Sequence, residues 1–368
     1  MSRNIYIWQD KDWPHFTWDE VEVAKSVGQI KRLQGQLSGE LSALGFEVQS
    51  ITQLDAMTQE LLRSSEIEGQ FINADSLRLS IARHLGIETD NNVITDHYVE
   101  GLVQAMADAS GNYLRPVNSE RLFGWHAALF PTGYSGSFRI SVADWRQGDE
   151  PMQVVSGAMG KERVHFEAPP SALVPQMMSD FLAWVNSDNN VEPIVKAGVA
   201  HLWFLTVHPF DDGNGRIART LTDLLLARAD AMPSRYYSVS AQICTDKKNY
   251  YEIIERTQKR NLDITDWLLW FNKMVGSAIE CSLAKIDQLV QKHDYWLRYG
   301  HVVVNARQKL IVNRLWDGFE GKLTSSKWAK IAKCSHDTAL RDIKDLIEKG
   351  MLVPGSGGGR STHYILPD

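Results

Sequence analysis

The most constraining stretch of this chain is its twelve residues His208-Pro209-Phe210-Asp211-Asp212-Gly213-Asn214-Gly215-Arg216-Ile217-Ala218-Arg219. An apolar run over residues 197–207 precedes it, and residues 217–229 follow with the spacing of an amphipathic helix. The stretch therefore reads as a loop between two buried helices, the second starting near Asn214. Gly213 and Gly215 let the backbone turn tightly and bring its N–H groups close to a ligand. Those N–H groups and the helix N-terminus make an anion site suited to phosphate. Arg216 and Arg219, three apart, leave one helix face beside the same anion. No Gly-Lys-Ser/Thr follows the glycines, so this is not a Walker A loop.

The pattern H-P-F-x-D-G-N-G-R-x-x-R resembles the signature of the Fic family, most members of which transfer AMP from ATP to protein hydroxyls, and every fixed position is filled. The resemblance implies a mainly α fold: an all-α core with a β-hairpin flap, and a protein adenylyltransferase that uses ATP and Mg²⁺. It implies that ATP lies over the turn Gly213, Asn214, Gly215, with Asp212 as the Mg²⁺ ligand. Asn214 and backbone N–H groups would hold the α-phosphate, Arg216 the β-phosphate and Arg219 the γ-phosphate. His208, with an ordinary pKa of about 6.5, suits a general base that takes the proton from a Ser, Thr or Tyr hydroxyl of a protein target, the chain itself included. Phe210 anchors the loop to the core.

Upstream, a helical pattern over residues 47–70 ends in Ser64-Ser65-Glu66-Ile67-Glu68-Gly69. Ser64 and Glu68 share a helix face and Gly69 suits a helix stop. This is similar to the Fic inhibitory motif S/T-x-x-x-E-G/N, whose glutamate reaches the second signature arginine, here Arg219. Such a pair would occupy the guanidinium meant for the γ-phosphate. Residues 152–155 and 164–166 read as strands around a turn at 156–161. The family places its flap here, where a target segment adds as an extra strand; Val154 and Val155 are the expected contacts. The tyrosine pair Tyr250-Tyr251 resembles the element lining the adenine pocket, with Tyr251 and Ile254 flanking the base and Gln258 where asparagine is often found.

Three domains are expected. Residues 1–46 form an N-terminal arm and helix, whose Trp8, Trp13 and Trp18 suit packing or docking. Residues 47–295 form the Fic core, with the inhibitory helix near 60–69, the flap near 150–168 and the signature at 208–219. Residues 302–368 read as three helices and a hairpin, the outline of a small α+β winged helix-turn-helix domain. That last segment holds eleven Lys/Arg against seven Asp/Glu, a net +4, and leaves −10 for the rest of a chain whose net charge is −6. Arg341, Lys344 and Arg360 keep DNA open as a partner. The three scattered cysteines argue against a disulfide framework or zinc site. No leader-like apolar segment opens the chain and no run is long enough to span a membrane, so a cytoplasmic protein is expected. His126 and His201 read as core histidines. Two other functions compete: a Fic-fold enzyme that transfers another phosphate-linked group or removes AMP, and a nucleotide-sensing DNA-binding regulator.

Overall fold

A computed structural model describes residues 6–87, 96–157, 163–356 and 362–367. The fold is mainly helical, and the chain divides into two compact units, Met1–Leu283 and Ala284–Asp368. No helix among the described residues is long and apolar enough to cross a membrane.

In the first unit the helices are α1 (Glu20–Ala43), α2 (Phe46–Ile67), α3 (Ala74–His84), α4 (His97–Gly111) and α5 (Ser119–Leu129). Two antiparallel hairpins follow, β1 (Tyr134–Ser135) with β2 (Phe138–Arg139) and β3 (Gln153–Ser156) with β4 (Arg163–Glu167). Then come α6 (Val174–Asn186), α7 (Pro193–Val207), α8 (Asn214–Asp230), α9 (Val239–Thr245), α10 (Lys247–Gln258) and α11 (Thr265–Arg298). Their starts are chemically marked. Asp19, Asn73, Asn118 and Glu192 each accept a backbone N–H of the first turn, which satisfies donors that the helix itself leaves free.

At the centre is α7, with thirteen of its fifteen residues buried. A helix apolar all round must be enclosed by others, and α8, buried at twelve of seventeen positions, lies against it. The N-terminal aromatics pack onto this pair: Trp13 and Phe16 meet Trp203 edge-on, and Trp8 Nε1 donates to Glu167 O at 2.8 Å.

Behind the loop, His201 is 1% exposed. Thr222 Oγ1 donates to Ala218 O, so it accepts from His201 Nδ1 at 2.8 Å, and His201 Nε2 accepts from Tyr250 Oη at 2.9 Å. The ring is therefore neutral. Burial first, and the Arg219 charge second, hold its pKa down to about 3. A histidine whose folded pKa lies below its unfolded value supports the fold fully above pH 6.5, and loses that support as pH falls towards 3. Between pH 7 and pH 5 the unfolding free energy is expected to drop by about 2 kcal/mol more in the wild type than in His201→Gln. Urea titrations at the two pH values measure that difference.

The second unit takes the last turns of α11: Tyr295 of that helix lies in its core, and Trp296, with Tyr299 just beyond the helix end, packs against it. Packing thus changes partners after Leu283. The unit continues with α12 (Ala306–Trp316), α13 (Ser325–Ile331), α14 (His336–Glu348) and a hairpin of β5 (Val353–Pro354) and β6 (Tyr364–Ile365). Trp328, Ile343 and Leu346 are fully buried at its centre. Arg341 and Lys344 are exposed on α14. Arg360, and the turn residues 158–161 and 357–359, lie outside the described residues.

Candidate functional site: an anion cradle under a helix-borne carboxylate

The loop from Val207 to Asn214 is held in shape largely by its own residues. His208 ends α7 in a left-handed conformation, φ 52° and ψ 58°. Gly213, at φ 83°, turns the chain into α8, and a side chain there would strike the Phe130 ring. Asn214 folds back on the loop: its Oδ1 accepts from Phe210 N at 3.0 Å and its Nδ2 donates to Phe210 O at 2.8 Å. Its side chain is buried, with its oxygen and its nitrogen each engaged by the backbone of Phe210. Gly215, inside the first turn of α8, has ordinary helical geometry. Its role is clearance, because an added methyl would collide with Glu68 Oε1 and sit 3.2 Å from Arg219 Nη1.

Three more residues clamp the loop from outside. Arg146, buried, donates from Nε to His208 O at 2.8 Å and from Nη2 to Val207 O and Pro169 O, while its backbone N–H donates to Pro209 O. Ala143 N donates to His126 Nδ1, so His126 Nε2 carries the proton and donates to Asp212 O at 3.2 Å. Burial lowers the pKa of that ring, which stacks on Phe210 at 4.2 Å. Ser135 Oγ donates to Asp212 Oδ2. Sequence reading missed all three roles.

His208 Nδ1 donates to Leu205 O at 3.3 Å, which leaves Nε2 as a free lone pair. Burial is the largest influence on the ring and, with help from the Arg146 charge, holds its pKa down to about 4 against the opposing charges of Glu68 and Asp212. The imidazole is therefore neutral, a base ready to act, at pH 7.

Arg216 and Arg219, on the first turns of α8, are buried, and both are engaged by the segment that ends α2. Arg219 Nε donates to Ser64 Oγ at 2.8 Å, and Nη2 donates to Ser64 O at 2.9 Å and Glu68 Oε1 at 2.8 Å. The carboxylate raises the pKa of Arg219, although burial acts the other way. Arg216 Nη1 donates to Gln70 Oε1 and Tyr98 Oη, each at 3.0 Å, and its guanidinium lies 4.8 Å over the Phe130 ring. The α2 end itself is a glycine-stopped helix terminus. Gly69 has φ 75°, Gly69 N donates to Glu66 O, and Gln70 N donates to Ser65 O. Tyr251 Oη and Lys247 Nζ, from α10, cap Ile67 O and Glu66 O.

A cavity of about 580 Å³ opens between this end of α2, the β3–β4 hairpin and α10. Its size is right for a nucleotide. Glu68, His208, Gly215, Tyr251, Ile254, Val154 and Val155 all line it. Asp212, Gly213, Asn214, Arg216 and Arg219 do not reach its wall, because the last turn of α2 stands in front of the arginines. Gln258 also lines it, with its Nε2 donated to Thr206 Oγ1.

Two observations test the site for an anion and a metal. Arg219 Nη1 and Arg216 Nε are buried donors with no hydrogen-bond partner among the described residues, and beside the first of them the place that a Cβ on Gly215 would take is held by an oxygen of the Glu68 carboxylate, itself an anion. Such a cradle fits phosphate. Among the described residues no cluster of three or more His, Cys, Asp or Glu could hold a metal. The Asp212 side chain is 42% exposed. A cation that takes one carboxylate and fills its shell with phosphate oxygens and water fits that arrangement, and Mg²⁺ is such a cation.

Adding a methyl at Gly215 is expected to lower ATP affinity at least about tenfold in a chain lacking the Glu68 carboxylate, because Cβ then fills the cradle. Calorimetric titration of Glu68→Gly with and without Gly215→Ala measures it.

Fold and loop together define a class of helical domain built around an anion cradle between two buried helices. Residues 116–226 match the Fic/DOC family model, so that stretch is a Fic/DOC domain. Residues 6–87, which contain Ser64, Glu68 and Gly69, match a separate model described as a domain of unknown function, DUF4172. Among curated proteins, the chain is similar to Protein adenylyltransferase fic-1 of Caenorhabditis elegans, 39% identical over 62 residues, which cover 16% of this chain and 12% of that protein. It is also similar to Protein adenylyltransferase Fic of Culex quinquefasciatus, 32% identical over 103 residues, 25% of this chain and 20% of that one. The matched stretches are thus a fifth or less of those relatives' length. Among solved structures, a Fic family protein from Desulfovibrio desulfuricans G20 has a TM-score of 0.55 at 17% identity, covering 94% of this chain and 95% of that one. A Fic domain containing signaling protein from Bacteroides thetaiotaomicron VPI-5482 has a TM-score of 0.51 at 19% identity, covering 70% and 95%. At these identities the likeness establishes the fold alone.

Proposed function

We propose that this chain transfers the adenylyl group of ATP to a Ser, Thr or Tyr hydroxyl of a protein, and that Glu68 holds the reaction in check. The observation that carries the reading is an imidazole with a free Nε2 lining the same cavity as a glycine cradle. A site that only senses nucleotide has no use for such a base. The names of the relatives support the chemistry.

In this reading Tyr251 and Ile254 flank the adenine, and the face of a tyrosine suits a purine. The N-terminal N–H groups of α8 receive the α-phosphate and stabilise charge that grows on its oxygens. Arg216 and Arg219 receive the β- and γ-phosphates once the turn Ser64–Gln70 has withdrawn. Mg²⁺, held by Asp212, would neutralise charge on the phosphates. Val154 and Val155 offer an edge to an extended target segment. His208 Nε2 takes the proton of the incoming hydroxyl, whose oxygen bonds the α-phosphorus while pyrophosphate departs.

Mass spectrometry of Glu68→Gly after incubation with ATP and Mg²⁺ tests this. The expected result is an added adenylyl group on the chain or on a supplied hydroxyl-bearing protein, specific to ATP over GTP, UTP and CDP-choline. A chain that binds ATP yet modifies nothing would overturn it.

A further inference from the structure

A second cluster of nucleophilic and titratable side chains opens onto the same cavity. Ser156 ends β3, Glu255 lies on α10, and His165 stands between them. The hairpin register steps from Val154↔Phe166 to Val155↔Val164, so His165 is the extra residue of a β-bulge, with no partner across the ladder. A bulge re-aims a side chain. Here it lets the imidazole span two elements: Ser156 Oγ lies 2.6 Å from Nε2, and Glu255 Oε2 lies 2.6 Å from Nδ1.

The direction of these bonds follows from the carboxylate. Lys259, at 2.7 Å, and Arg163, at 3.2 Å, hold Glu255 Oε1, which leaves Oε2 for the imidazole. Partial burial works against ionisation, but the hydrogen bonds from Lys259 and His165 outweigh it and keep Glu255 down to about 2. An ionised carboxylate only accepts, so Nδ1 carries the proton and Nε2 is left to accept from Ser156 Oγ. A hydroxyl aimed at an imidazole that a carboxylate orients is the arrangement of an activated oxygen nucleophile. Ser156, His165 and Glu255 line the cavity that His208 and Gly215 also line.

We propose that Ser156 is an acceptor site for the adenylyl group within this chain, with His165 as its base and Glu255 as a positioning residue. The inference rests on the adenylyl-transfer reading above and names one substrate for it. Ser156 Oγ bonds the α-phosphorus of ATP, and the bond from that phosphorus to the bridging oxygen breaks. The bridging oxygen leaves with the electron pair as pyrophosphate. The Oγ proton passes to His165 Nε2 and on to water, and the product is a phosphodiester between Ser156 and AMP. The competing role for the trio is a tie between the hairpin and α10, which involves no covalent change.

The test uses the full chain carrying Glu68→Gly, with Mg²⁺ and ATP labelled on the α-phosphate, followed by peptide mapping. The expected result is label on Ser156, lost in Ser156→Ala and carried by the new hydroxyl in Ser156→Thr. The initial rate should fall at least about tenfold in His165→Gln and less in Glu255→Gln. Rescue by threonine is a readout that a tie does not produce. Label confined to other residues would overturn this inference and leave adenylyl transfer standing. No covalent nucleotide anywhere on the chain or on a supplied acceptor would overturn both.

Discussion

Glu68→Gly is expected to raise kcat/KM for ATP-dependent transfer about 10- to 100-fold. Arg219 spends Nη2 on Glu68 Oε1 and Ser64 O, and Nε on Ser64 Oγ. A hydrogen bond between charged groups is worth about 1.5–3 kcal/mol, and the same carboxylate repels a triphosphate that enters beside Gly215. Removing it frees a donor and deletes a like charge together, and each 1.4 kcal/mol recovered is about a factor of ten. Glu68→Gln keeps an oxygen facing Arg219 but loses the charge, so its gain should be smaller. Single-turnover transfer of labelled AMP gives the comparison. Equal rates for wild type and Glu68→Gly would remove the restraint from this account.

His208→Ala, made in the Glu68→Gly chain, should lower the rate of transfer to a supplied protein hydroxyl about 10²- to 10⁴-fold and change the dissociation constant for ATP by less than about threefold. The imidazole makes no part of the cradle, so its loss falls on proton removal. Its depressed pKa adds a second expectation. A base held down to about 4 is already neutral well below its ordinary range, so kcat/KM should stay flat from pH 8 down to about 6 rather than falling with a midpoint near 6.5. A rate profile that bends near 6.5 would show that the buried environment of His208 is not the one in which it reacts.

How much of this could be read from residues alone depended on the range of each contact. The helix–loop–helix around the signature was legible because its determinants are local. Gly213 marks a left-handed turn, and the limits of α7 and α8 follow from apolar spacing. The stop at Gly69 was legible for the same reason. The partner of Glu68 was not: Arg219 lies 151 residues away and came only through resemblance. The clamps were invisible in a stricter sense. Arg146 and His126 bind the backbone carbonyls of Val207, His208 and Asp212, and a carbonyl belongs to every residue type, so no pattern betrays it. Gln70 and Tyr98 on Arg216 escaped likewise, since neither stands in a recognisable spacing to it. The bulge at His165 breaks the strand alternation that sequence reading relies on. In α11 the apolar period runs unchanged through Leu283 while the packing partners change, so no break in the pattern marks where one compact unit gives way to the other.

Tyr251 stands on the wall of the cavity and also caps the last turn of α2. One phenol thus shapes the cavity and braces the turn that carries Glu68. A side chain changed there to reshape the wall would also loosen or tighten that turn, so the two cannot be altered at this position independently of each other.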